Sequence, residues 1–72
     1  MSNDEMAILK DIDERPRTYV LMERSPIVPS RMLAAGVTTL SEKGLIRVLA
    51  TGIVKTTADG KALLNAAQKL EE

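Results

Sequence analysis

The sequence predicts a mainly helical α+β domain built from three helices, a two-stranded β-hairpin and a C-terminal helix. Three observations carry that prediction. Apolar residues recur at helical spacing in separate stretches around Ile8, Leu33 and Leu63. Two short runs rich in β-branched residues, 46–50 and 53–57, flank a glycine-containing tip. Gly44 and Thr57 stand where a helix stop and a helix start are needed on either side of those runs.

The first helix is expected to begin after Ser2. Ser2-x-x-Glu5 fits a capping box, in which hydroxyl and carboxylate each satisfy a backbone N–H of the other residue. Its apolar stripe is Ile8, Leu9 and Ile12, with Met6 at the edge. Pro16 ends it by pushing Arg15 out of helical geometry. The segment 17–24, RTYVLMER, is too short for periodicity to separate helix from strand. Tyr19 is the only aromatic residue, so the core must be built from aliphatic side chains and methionine.

Pro26 and Pro29 punctuate the next connection, and either suits the first turn of a helix. The third helix is expected over 29–43, closed by Gly44 in a left-handed conformation. At 100° per residue, Leu33, Val37, Leu40 and Gly44 fall on its core side, and Arg31, Ala35, Thr38, Thr39 and Glu42 on the other. Gly36 costs the helix about 1 kcal/mol relative to alanine. It either admits another helix at close range or breaks the element in two.

In the hairpin, a two-residue type I′ turn would force the β-branched Thr51 to positive φ. A three-residue loop, Ala50-Thr51-Gly52 with Gly52 left-handed, is therefore expected. That register pairs Leu49 with Ile53 and Arg47 with Lys55 on one face. It turns Ile46, Val48, Val54 and Thr56 toward the helices on the other. Thr57 is the expected N-cap of the last helix, with Asp59 in its first turn and Leu63, Leu64, Ala67 and Leu70 as its apolar stripe.

The stretch from Thr38 to Leu64, TTLSEKGLIRVLATGIVKTTADGKALL, joins these elements in the order helix end, glycine stop, hairpin, helix start. It resembles the second half of a winged helix-turn-helix domain. The family's helix exit, Leu-x-x-Lys-Gly-Leu-Ile, stands here at 40–46, and its helix entry, Thr-x-x-Gly-Arg/Lys-x-Leu-Leu, at 57–64. The resemblance covers roughly residues 29–70. It implies one winged-helix-like domain over residues 1–72, with a short second helix in the segment 17–24. It also implies a small DNA-binding transcriptional regulator. In that family the third helix enters the major groove and the hairpin wing touches phosphates or the minor groove. Carried onto this chain, the DNA-binding positions are Arg31, Ala35, Thr38 and Thr39 on the helix and Arg47 and Lys55 on the wing. Arg31 suits bidentate contact with guanine.

Composition narrows the alternatives. The chain of 72 residues has no cysteine and no histidine, which removes disulfides, thiolate metal sites and imidazole chemistry. Asp11, Asp13 and Glu14 lack the loop glycine and ligand spacing of a calcium site. The four glycines are isolated, so no phosphate-binding glycine loop is present, and no nucleophile has a base of the usual type nearby. The expectation is a non-enzyme without cofactor or metal. No apolar run is long enough to span a bilayer, and MSNDEM is unlike a secretory signal, so a cytoplasmic protein is expected.

The formal net charge is zero, but the charges are segregated. Residues 1–14 hold five acids against Lys10, a net of −4. Residues 15–61 hold eight bases against Glu23, Glu42 and Asp59, a net of +5. A basic centre between acidic ends favours an anionic partner. Against base-specific reading, the outer helix face carries one arginine opposed by Glu42, and no Asn or Gln lies between Asp4 and Asn65 to read adenine. The apolar wing tip, Leu49 and Ile53, supports the alternative of a protein-interaction module docking on the transcription machinery or another regulator. A homodimer through the terminal helices, burying Leu63, Leu64, Ala67 and Leu70, is a further expectation, since an interface compensates for a small core.

Overall fold

A computed structural model describes residues 2–71. The elements follow in the order α1 (Asn3–Glu14), β1 (Arg17–Thr18), α2 (Tyr19–Arg24), α3 (Ser30–Glu42), β2 (Ile46–Val48), β3 (Ile53–Thr56) and α4 (Ala58–Glu71). The fold is α+β and mainly helical, with one antiparallel sheet of order β1-β3-β2. Among the described residues, no helix is long and apolar enough to cross a membrane.

The start of α1 is as the sequence reads. The Ser2 hydroxyl accepts from the Glu5 N–H at 3.2 Å. The reciprocal half of the capping box is replaced, because the Glu5 carboxylate turns to the Lys43 ammonium at 3.5 Å. Ile8, Leu9 and Ile12 are fully buried and pack α1 against α3, β3 and α4.

The segment 17–24 holds the expected short helix but opens with a strand that the sequence reading did not anticipate. Arg17 and Thr18 are extended and pair with Val54 and Ile53, so the sheet has three strands instead of the two of a simple wing. Only then does α2 begin, with the Thr18 hydroxyl accepting from the Leu21 N–H at 3.4 Å. The extended geometry at Arg15 that Pro16 favours delivers the chain to the free edge of β3. This makes β3 the central strand and anchors the hairpin to the body.

Helix α3 spans the expected range unbroken, with Pro29 at its N-cap. Gly36 is buried against the Ile8 side chain, so its role is close approach of α1. It takes the central core position that helical spacing assigns to Val37, which is half-buried instead. Gly44, expected on the core side, is exposed. At φ 73° it supplies the left-handed residue of a Schellman motif. The Leu45 N–H donates to Leu40 O and the Gly44 N–H to Ser41 O, both at 3.0 Å, and Leu40 and Leu45 meet in the core.

The hairpin has the expected register, Arg47 opposite Lys55 and Val48 opposite Val54. The Leu49 N–H donates to Ile53 O at 2.8 Å, and Gly52, at φ 88°, closes the three-residue loop. Ile46, Val54 and Thr56 are buried as expected, but Val48 is 63% exposed. It shares their face yet lies toward the tip of an edge strand, beyond the helices that would cover it. The tip residues Leu49 and Ile53 are half-buried.

Thr57 joins the two halves of the fold. Its hydroxyl accepts from the Gly60 N–H at 3.2 Å and donates to Gly44 O at 2.7 Å, and its own N–H donates to Leu45 O at 3.0 Å. One residue therefore caps α4 and fastens it to the exit of α3. Along the stripe of α4, Leu64 is buried, Leu63 and Ala67 are half-buried, and Leu70 is 88% exposed. Leu64, assigned from sequence to a dimer face, belongs to the domain's own core.

Gly60 packs directly on the Leu45 carbonyl and the Thr56 methyl, leaving no room for a Cβ. Gly60→Ala is expected to destabilise the domain by about 1–3 kcal/mol through overpacking. Gly36→Ala, by contrast, should stay within about 1 kcal/mol of the parent. Its gain in helix propensity offsets movement of the Ile8 terminal methyl. Urea midpoints test the contrast, and equal midpoints for the two variants would contradict it.

Candidate nucleic-acid interface

Folding cancels part of the charge segregation of the sequence. The acidic α1 lies along the body, and three of its carboxylates capture cations from three different elements. Asp11 binds Arg17 at 2.7 Å, Asp13 binds Lys61 at 3.1 Å and Glu5 binds Lys43 at 3.5 Å. The first pair is the tightest, with side chains only 12% and 14% exposed, and the Arg17 guanidinium also donates to Arg15 O at 2.9 Å. The other two pairs are more open to solvent and correspondingly weaker.

What remains unneutralised is therefore narrower than the sequence implies. Among the described residues, Arg15, Arg24, Arg31, Arg47 and Lys55 of the basic centre have no acidic partner within ion-pair distance. Arg47 and Lys55 are exposed and directly opposite on the outer face of the hairpin. Like charges in that position destabilise a sheet unless an anion or solvent screens them.

The outer face of α3 is less well equipped. Arg31, Ala35, Thr38 and Glu42 are exposed there, and Thr39 is half-buried at its side. The Thr38 and Thr39 hydroxyls donate to Ala34 O and Ala35 O at 3.0 and 2.9 Å. Their protons are thus engaged within the helix, leaving lone pairs and methyl groups for any partner. Ala35 and Thr39 also line a shallow hollow between α1 and α3 whose rim includes Asp4 and Glu5. Carboxylates beside these two positions oppose a phosphate backbone. Arg31 and Thr38 do not line that hollow.

A second, open groove lies at the base of the wing. It has a volume of about 320 Å³ and is lined by Arg47, Lys55, Thr56, Thr57, Ala58 and Lys61. The hairpin supplies the first two cations and the first turn of α4 supplies Lys61. Thr56 is only 5% exposed, and its Oγ1 is buried without a hydrogen-bond partner. Sequence reasoning placed Lys61 in a helix-entry motif and Thr56 in the core, and so missed both. The available signal was the short spacing of Lys55 and Lys61 around the Thr57 cap.

The apolar alternative also shifts. Leu49 and Ile53 pair with each other across the hairpin and are half-buried. The more exposed apolar side chains near the sheet are Val48 on β2 and Val20 on α2. Comparison of the chain with protein-family models, with curated proteins and with solved structures finds no match in any of the three.

Two stability predictions follow from these contacts. Asp11→Ala, which strips Arg17 of its carboxylate, is expected to cost about 2 kcal/mol. Glu5→Gln and Asp13→Asn should each cost less than about 1 kcal/mol. Urea unfolding orders the three, and a cost at Asp11 no greater than at Glu5 would contradict the ranking. Thr56→Val keeps the shape and removes the orphaned hydroxyl, so it should stabilise the unliganded domain by about 1 kcal/mol. A lower thermal midpoint would contradict that reading of Thr56.

Proposed function

We propose that this chain is a small DNA-binding transcriptional regulator of winged-helix type in which the wing supplies most of the phosphate contact. The observation that carries the reading is the Arg47–Lys55 pair, two cations held opposite each other on the exposed hairpin face while α1 neutralises Arg17, Lys43 and Lys61. The order of three helices, hairpin and helix also supports it, since that is the order the family resemblance implies, with β1 added between the first two helices. Pairing with β1 anchors the wing, so its cations are presented from a rigid support.

In this reading Arg31 approaches a base edge or phosphate from α3, while Arg47 and Lys55 displace counterions along one strand. The threonines and Ala35 contribute methyl contacts. Such an interface supplies affinity through charge and offers little direct base readout. The regulator therefore works through modest sequence preference, sharpened by DNA shape or by a second bound copy.

The second reading is a protein-docking module, and Val48, 63% exposed on an edge strand, is the observation that favours it. It places the contact on Val48 in preference to the half-buried Leu49 and Ile53.

Fluorescence anisotropy with a labelled mixed-sequence duplex separates the two. DNA binding through Arg31, Arg47 and Lys55 predicts a log–log salt slope of roughly −3, about −0.9 per phosphate contact. Replacing Arg47 and Lys55 together by alanine should reduce the slope to roughly −1 and weaken binding at least tenfold at low salt. Unchanged affinity in that double variant would overturn the DNA reading. Val48→Asp should leave duplex affinity nearly intact, whereas the docking reading requires it to abolish partner capture.

A further inference from the structure

We propose that the groove at the base of the wing is a site for a single phosphoryl group, completed by the N-terminus of α4 and by Lys61. The site deepens the DNA reading and rests on it for the phosphate's carrier, a backbone phosphodiester. The anion chemistry rests on the groove alone.

Two features meet in the groove, and a third lies in its wall. The first is charge. Arg47, Lys55 and Lys61 reach the same hollow from two strands and a helix, and none of the six lining residues is acidic. The second is the helix terminus. Thr57 caps the Gly60 N–H, and the Lys61 N–H reaches Thr57 O, but the Ala58 and Asp59 amides have no acceptor within the helix. They stand at the positive end of a 14-residue helix, where an anion is favoured. The third is Thr56. Its hydroxyl is buried and unpartnered in the described structure, and the residue lines both the groove and a small recess shared with Asp13, Pro16, Lys55 and Lys61.

Nearby acids set the strength of the site. Asp13 holds Lys61 at 3.1 Å, but that pair is well exposed, so the ammonium can turn to an incoming anion at little cost. Asp59 is exposed in the first turn of α4, and its carboxylate competes with an anion for the same helix terminus. Several donors meeting at one point suit a tetrahedral oxyanion, which offers an acceptor on every side, and the Arg47 guanidinium can bind two of its oxygens. The groove is open, so an esterified phosphate can pass through it with its two ester chains outside.

The test has two arms. In the first, inorganic phosphate is titrated into isotopically labelled protein at low salt, with chloride at matched ionic strength as the control. Phosphate-specific shifts at the Ala58 and Asp59 amides are expected. In the second, duplex affinity is compared for the parent, Lys61→Gln, Lys61→Arg and Asp13→Asn. Lys61→Gln should weaken binding roughly threefold to tenfold, with the salt slope changed by less than about one because Lys61 shares its phosphate with Arg47 and Lys55. Lys61→Arg should bind like the parent, and Asp13→Asn should bind more tightly. Phosphate-specific shifts in a protein that binds no duplex would uphold the site and overturn the DNA carrier. Duplex binding with silent Ala58 and Asp59 amides and an unaffected Lys61→Gln would overturn the site and leave the DNA reading standing. Silence in both arms would overturn both.

Discussion

The seating of α1 on the body is the contact on which the rest of this domain depends. Ile8, Leu9 and Ile12 are all fully buried on the helix that packs against α3, β3 and α4. With one tyrosine and no other aromatic, the core has no large ring to bridge gaps. Close backbone approach replaces it: Gly36 lets α3 close onto Ile8, and Gly60 lets α4 close onto Leu45. The same docking carries the acidic edge of α1 to Arg17, Lys43 and Lys61. One helix therefore sets both the packing of the domain and the distribution of its remaining charge.

From that seat the wing is positioned through a short chain of directional bonds. The Schellman closure at Gly44 turns the chain from α3 into β2, and Thr57 ties the end of β3 back to Gly44 and Leu45. On the far side, Arg17 and Thr18 pair with β3, held in turn by the Asp11 carboxylate on Arg17. The hairpin is thus tied at its base by Thr57 and along the tip half of β3 by β1. Its outer face stays exposed, with Arg47 beside Lys55, and this is where the proposed phosphate contacts arise. The unpartnered Thr56 hydroxyl and the like-charge pair are local costs in the unliganded domain, and proteins tend to carry such costs at binding sites.

Much of this was legible because it is written in neighbouring residues. The Ser2 cap, the Gly44 stop, the three-residue hairpin loop with left-handed Gly52 and the Thr57 cap are each fixed by chemistry within a few positions. The hairpin register follows from them, and so does the Arg47–Lys55 pairing. The strand β1 was not legible, since two residues carry no periodicity and their partners lie far away in sequence (Arg17 pairs with Val54, 37 positions on). Nor was the exposure of Val48, which depends on where the covering helices end. The charge pattern misled in the same way. Three bases of that centre, Arg17, Lys43 and Lys61, are paired once α1 folds across the body, a fact of tertiary geometry that no local window holds.

The account turns on the claim that folding leaves positive potential concentrated at the wing base and removes it beside α1. Paramagnetic relaxation of backbone amides by an anionic and a cationic co-solute of the same shape measures that potential residue by residue. The account predicts strong preference for the anionic probe at residues 47, 55 and 57–59, and near-equal effects at residues 11, 13, 17 and 43. An even preference across the surface, or an anionic preference centred on residues 35–39 of α3, would contradict it.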